Sequence, residues 1–341
     1  MNSLGRVLAA LQDQPADRSA FLLNAGLYGA RLTGVPLAEH YRDAARYAEG
    51  QMAIRETFSP DLLPSPFALA GVGAAFGSRT SEPRRNPPNV AAFAAPSAEA
   101  ALALPVPDVD SHPQLLYLRE SVRILARKYA GEVPIIGLLA GPMDLPPVII
   151  GLEAWLDALL FHPDAARALL DRLVPFFVAL GNALLADGAT ALAFTANLAN
   201  PFVVSETVAR DLARPCLEQA LAELPGPAIL HHGGCPLLPH LGGFLALPNT
   251  VGYLLGSDED PAEARGVLGR GPLLLGNLDG PGLADLTPEA VGERCDRVLA
   301  RRGADRQFIL ATSDADIPLD TPPACLQAIV EAVCRAGGSP A

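Results

Sequence analysis

His231-His232-Gly233-Gly234-Cys235 is the densest group of reactive side chains in the sequence. Two of the six histidines close an apolar run here, and residues small enough to leave room for a ligand follow them. An imidazole at such a place can donate or accept a hydrogen bond, shuttle a proton or bind a metal. With Cys235 and a later carboxylate, His231 would offer zinc three protein ligands. The H-x3-C spacing, with no second cysteine nearby, equally suits a histidine that only hydrogen-bonds. Other apolar runs also end in hydrogen-bonding residues: Asn24, Asp144, Asn197, Ser257-Asp258, Asn277 with Asp279, and Ser313-Asp314 with Asp316. Each can be a turn or cap residue for local backbone reasons; converging on one rim, they form a site. His231, Asp314 and Asp279 are the candidates for proton handling. Asn24, Tyr28, Asp144, Asn197, His232, Asp258, Asn277 and Ser313 are candidates for binding substrate, and His231 with Cys235 for a metal.

The elements that must position these residues alternate. Strand-sized apolar runs occupy 20–23, 61–64, 133–140, 189–195, 228–231, 251–255, 272–276 and 307–312, eight in all. Helical patterns occupy 152–160, 164–185, 205–224, 261–268, 288–302 and 323–335, several opening with a cap or first-turn proline as in Leu286-Thr287-Pro288-Glu289. Runs apolar at every residue suit strands buried on both faces, and eight parallel strands close a barrel. The expected fold is therefore α/β: a single (β/α)8 barrel domain over 1–341, with an N-terminal helical extension. An irregular insertion follows the second strand. It covers 78–110, rich in Pro and Ala, and reads as a mobile lid or an ordered strap across the mouth. An open doubly wound sheet would want a GxGxxG turn, which is missing, as are P-loop, nucleophile-elbow and HExxH motifs.

Composition narrows the partners. Against 25 Lys+Arg stand 37 Asp+Glu, a net charge of −12, which speaks against nucleic acid and anionic membranes. Half the residues are hydrophobic and 18% charged, a folded-protein composition. No apolar run approaches the ~18 residues of a membrane span. Five scattered cysteines without a CxxC pair fit a reducing cytoplasm, the expected location. His40 and His112 read as surface residues, His162 as a helix N-terminal residue beside Pro163, and Trp155 as core.

The chain also resembles the uroporphyrinogen decarboxylase superfamily. The stretches that carry this are Met1-Asn2-Ser3 with Arg6-Val7-Leu8-Ala9-Ala10-Leu11, Asn24-Ala25-Gly26-Leu27-Tyr28, Gly137-Leu138-Leu139-Ala140-Gly141-Pro142, Gly276-Asn277-Leu278-Asp279-Gly280 and Asp316-Ile317-Pro318. The resemblance implies one (β/α)8 barrel and either of two activities: decarboxylation of a porphyrinogen, or methyl transfer from a methylcobamide protein to a thiol such as coenzyme M. The decarboxylase motif R-Q-A-G-R-Y falls on residues 23–28, where Leu23 and Leu27 replace both arginines, and Ala68 stands where F-S-D has its aspartate. A polycarboxylate would lack counter-ions there. The thiol branch holds zinc on H-x-C and a distant cysteine; His231 matches, but Gly233 and Ala315 stand at the two cysteine positions. The expectation is a corrinoid-dependent methyltransferase, with methylcobalamin carried by a separate corrinoid protein. Its acceptor is tetrahydrofolate or another small molecule rather than a zinc-activated thiol. Zinc is absent, and the chain is a monomer or homodimer. The alternatives are a zinc-dependent coenzyme M-type enzyme using His231 and Cys235, the decarboxylase, and a non-catalytic binder of small molecules.

Overall fold

A computed structural model describes residues 1–82 and 84–337. Pro83 of the insertion and residues 338–341 of the expected domain lie outside the described residues. The strands are β1 (Phe21–Leu22), β2 (Leu63–Pro64), β3 (Arg79–Ser81), β4 (Asn89–Ala92), β5 (Ile135–Ala140), β6 (Ala191–Thr195), β7 (Ala228–His231), β8 (Thr250–Leu254), β9 (Leu273–Asp279) and β10 (Phe308–Ser313). Eight of them form one parallel sheet in the order β1-β10-β9-β8-β7-β6-β5-β2, and a parallel bridge from Leu22 to Leu62 joins its two edges. The result is a nearly closed (β/α)8 barrel. β1 and β2 are only two residues long. Pro64 has no N–H to give the ladder, which limits β2.

β5, β6 and β10 are buried along almost their whole length, as strands between a filled barrel and a helical layer must be. Their outward residues pack on helices Leu152–Phe161, Pro163–Ala186, Pro288–Arg301 and Pro323–Ala336. Among the described helices, Pro163–Ala186 alone is long and apolar enough to cross a membrane; here it lays Leu169, Leu173, Phe176 and Phe177 into the core. Inside the barrel a separate cluster holds Leu62, Ile136, Ala193, Ile229, Leu254, Leu275 and Ile309. Helix Ser3–Leu11 covers the barrel floor. Buried Asp61 ties it there, accepting from Ser3 Oγ (2.9 Å), Arg6 Nη1 (3.1 Å), Arg18 Nη1 (2.5 Å) and Phe21 N (3.1 Å).

Three features differ from the sequence expectation. Helices Ala44–Phe58 and Pro113–Tyr129 lie between the first barrel strands, where no helix was assigned. The expected helix over 205–224 is broken by a wide turn at Ala209–Ala213, next to Pro215, which cannot close an ordinary helical hydrogen bond. The segment 78–110 contains an antiparallel hairpin of β3 and β4. Ser78 Oγ and the Ile149 carbonyl receive the Ala94 N–H at 3.1 and 2.8 Å, seating the hairpin on the barrel.

Candidate active site

The C-terminal ends of the strands surround a cavity of about 1120 Å³. Its lower wall is barrel interior, with Leu22, Leu62, Ile136, Ile229, Leu254 and Leu275. Its upper wall carries Asn24, Asp144, Thr195, Asn197, His231, Asp314 and Asp316, and the hairpin tip Arg85 to Asn89 crosses the mouth. Five of the expected residues thus share one cavity: Asn24, Asp144, Asn197, His231 and Asp314.

Asn24 follows β1; its N–H donates to Thr312 Oγ1 (2.7 Å) and its carbonyl accepts from Ile317 N (2.9 Å), fixing it against the loop after β10. Asp144, after β5, accepts from Thr195 Oγ1 (2.6 Å), Asn197 N (3.0 Å) and Leu198 N (2.8 Å). Burial raises its pKa in spite of those three donors. Asn197 Nδ2 donates to the Gly233 carbonyl (2.9 Å), and its buried Oδ1 has no partner among the described residues. Gly233 has φ +66°, and a Cβ there would lie 2.1 Å from Asn197 Oδ1. The position at which the resemblance expects a cysteine is therefore filled by Asn197.

His231 ends β7. Its Nδ1 accepts the Gly233 N–H at 2.8 Å, so the ring proton sits on Nε2. Burial first, and then the neighbouring imidazole of His232, pull its pKa down to about 3, which keeps it neutral. The two rings stack at 4.8 Å. Asp314 follows β10 with φ +68°, a left-handed conformation uncommon outside glycine. Its Oδ1 accepts from Ser257 N at 3.4 Å. Asp316 accepts one protein hydrogen bond, from Gly26 N at 3.0 Å, and burial lifts its carboxyl to about 6.

The other expected residues stand outside the cavity wall. Tyr28 is fully buried, with its hydroxyl on the Thr321 carbonyl (2.9 Å), and props the loop before the last helix. His232 lies behind Asp314: Nδ1 accepts Gly234 N–H (3.0 Å) and Nε2 is 3.5 Å from Asp314 Oδ1. Asn277 is buried and gives its amide to the carbonyls of Gly256 (2.9 Å) and Glu259 (2.6 Å), bracing the loop after β8. Ser313 is buried within β10 away from the cavity, and Asp258 faces solvent. Asp279 accepts from Gly282 N (2.8 Å) and closes a turn. Cys235 is half-buried, with its thiol pKa raised by burial. Among the described residues no three of His, Cys, Asp or Glu converge to hold a metal ion. A zinc site on His231 and Cys235 is not assembled. His40, read as a surface residue, is fully buried, its Nε2 on the Gly26 carbonyl at 2.8 Å.

Sequence reasoning left Thr195 out of the site, gave Asp316 a place at a strand end but no role, and set the 78–110 segment at the mouth without its hairpin. Thr195 and Asp316 sit at strand ends and were within reach of the same pattern. The hairpin itself has no periodic signal, and the strap expected over the mouth takes that form through contacts such as the Ala94 N–H on the Ile149 carbonyl (2.8 Å).

The charge around the cavity is one-sided. Asp144, Asp314, Asp316 and Asp320 are acidic, and Arg85 is the lone cationic residue among the described wall residues. Arg85 is already paired with Asp320 at 2.7 Å. An anion about 4 Å from one such carboxylate would be repelled by about 4 kcal/mol at an effective dielectric constant of about 20.

A closed parallel barrel with a deep, mostly apolar cavity and a few placed polar groups at its strand ends is the architecture of a barrel enzyme. The model of the uroporphyrinogen decarboxylase (URO-D) family matches residues 2–336, and the chain belongs to that family. It is 24% identical over 286 residues to the methylcobamide:CoM methyltransferase MtaA of Methanosarcina barkeri, covering 81% of this chain and 82% of that protein. To the methylcobamide:CoM methyltransferase MtbA of Methanosarcina mazei it is 25% identical over 336 residues, 96% of each. A solved methyltransferase from Methanosarcina mazei shares the fold, with a TM-score of 0.85, 20% identity, and coverage of 98% of this chain and 99% of that one.

Proposed function

We propose that this protein is a corrinoid-dependent methyltransferase, moving a methyl group between a corrinoid on a separate protein and a small nitrogen-centred molecule in the barrel. Family membership and the full-length similarity to methylcobamide methyltransferases support the corrinoid half. One observation carries the other half: among the described residues the wall offers four carboxylates and four amides, but no converged metal ligands and no unpaired arginine. Thiols need a soft metal or a base to become thiolates, and a porphyrinogen or a sulfonate would meet carboxylates instead of cations. A nitrogen already carries its lone pair.

In this reading the His231 Nε2–H, Asn24 and Asn197 orient the ligand, while Asp144 fixes Thr195 and the loop after β6. Asp316, with its carboxyl near 6, and Asp314 take the proton when an N–H nitrogen accepts the methyl. Tetrahydrofolate is one such ligand, its pterin N–H groups suiting these acceptors; a methylated amine is the other. The apolar walls exclude water while donor and acceptor are held in line. The corrinoid protein docks over the strand ends beside the 78–110 segment, and the reaction belongs in the cytoplasm.

The test follows cob(I)alamin absorbance as purified protein demethylates methylcobalamin with tetrahydrofolate or with coenzyme M, with and without a chelator, and the reverse transfer from methylated amines. Chelator-insensitive transfer to or from nitrogen is expected. Turnover with coenzyme M alone, abolished by the chelator, would overturn the reading, as would no transfer to or from any partner by folded protein.

A further inference from the structure

The hydrogen-bonding polarity of the cavity says more about its ligand. Asp314 and Asp316 each keep a carboxylate toward the cavity with a single backbone N–H bond to the side chain. Asn197 turns its unpartnered amide oxygen onto Gly233 and not into the cavity, so the open acceptors are these two carboxylates. Against these acceptors the wall holds few donors, notably the His231 Nε2–H, and its one guanidinium lies at the mouth in an ion pair. Buried acceptors without donors are costly, so the missing donors or positive charge must come with the ligand. Below this ring the wall is aliphatic, from Leu22 and Leu62 to Leu254 and Leu275, with the half-buried ring of Phe67 beside it. Carboxylates at the rim of an aliphatic chamber suit an organic cation with an apolar body.

We infer that the barrel-side ligand is a methylated ammonium cation with an apolar body, its nitrogen held between Asp314 and Asp316 and its hydrocarbon directed down the barrel. This rests on the methyltransferase reading and makes the ligand the methyl donor. The C–N bond breaks with its electron pair left on nitrogen, and cobalt(I) of the partner's corrinoid supplies the pair for the new cobalt–carbon bond. The ammonium becomes a neutral amine, and no proton moves. The neutral His231 does not hinder such a step. Loss of the ligand's charge on reaction also weakens its hold on the two carboxylates, which favours product release.

Calorimetry on the full-length protein compares choline with 3,3-dimethylbutan-1-ol, its uncharged carbon isostere, then hexyltrimethylammonium with choline. The cation is expected to bind at least about tenfold tighter than the isostere, and the hexyl compound tighter still. Asp314→Asn with Asp316→Asn should remove most of the cation preference and leave the isostere's affinity unchanged. Equal affinity for choline and its isostere, or tighter binding of tetrahydrofolate than of any ammonium, overturns the inference; this comparison needs only wild-type protein, should the double variant not fold. Methyl transfer from the ammonium to cob(I)alamin is followed separately. Cation-selective binding without transfer in either direction would keep the ligand class and reject the methyltransferase reading, whereas transfer to tetrahydrofolate without cation selectivity would do the reverse.

Discussion

Asp316 couples the site to the stability of the fold. Burial raises its carboxyl from 3.8 to about 6. A raised acid pKa means the folded state holds the proton more tightly than the unfolded one, so the stabilisation is complete below about pH 4 and is lost as pH rises through about 6. Asp316→Asn, which stays neutral, should remove this term, so that its melting temperature rises relative to wild type between pH 5 and 7.5 and lies above it at pH 7.5. His231 acts the other way: held near 3 in the fold against 6.5 in the unfolded chain, its contribution is complete above about pH 6.5 and is lost as pH falls toward 3, so it offsets part of the Asp316 fall between pH 5 and 6.5. Gly233 is the other constrained residue. Its φ of +66° and the 2.1 Å approach to Asn197 Oδ1 leave no space for a side chain. Gly233→Ala should cost about 2–4 kcal/mol in urea unfolding, and pairing it with Asn197→Gly should recover part of that loss.

Among the elements, the loops after the strands do the positioning, and residues outside the wall hold them. Asn277 on β9 supplies the amide that braces the loop after β8, and Ser257 of that loop donates to Asp314. Asn277→Ala should cost about 1–3 kcal/mol and raise KM more than it lowers kcat, measured by steady-state kinetics beside a melt. The hairpin of β3 and β4 behaves differently. Its pair Arg85–Asp320 is exposed on both sides, and such pairs are worth about 0–1 kcal/mol. Arg85→Ala should therefore leave the melting temperature nearly unchanged while altering the rate at which ligand enters the cavity.

For the whole molecule, barrel closure depends on the first twenty residues as much as on the later strands. β1 and β2 contribute two residues each, and Asp61 gathers Ser3, Arg6, Arg18 and the β1 backbone around one buried carboxylate. Asp61→Asn should cost about 3–5 kcal/mol, because it leaves buried guanidinium groups without their counter-charge. Denaturant unfolding read by the buried Trp155, whose Nε1 donates to the Met143 carbonyl (3.0 Å), measures it.

Local pattern determined the strand count, most helices and the polar residues at strand ends, because a strand buried on both faces must be apolar throughout and then turn at a polar residue. The same pattern could not tell Asn277 and Ser313, which serve the backbone, from Asn24 and Asn197, which face the cavity. All four have the same local signature, and the difference lies in which way each strand end points once eight strands have closed. The pairing of β3 with β4 at the mouth and the filling of a cysteine position by Asn197 were likewise decided only by the folded chain, the second by a contact between residues far apart in sequence.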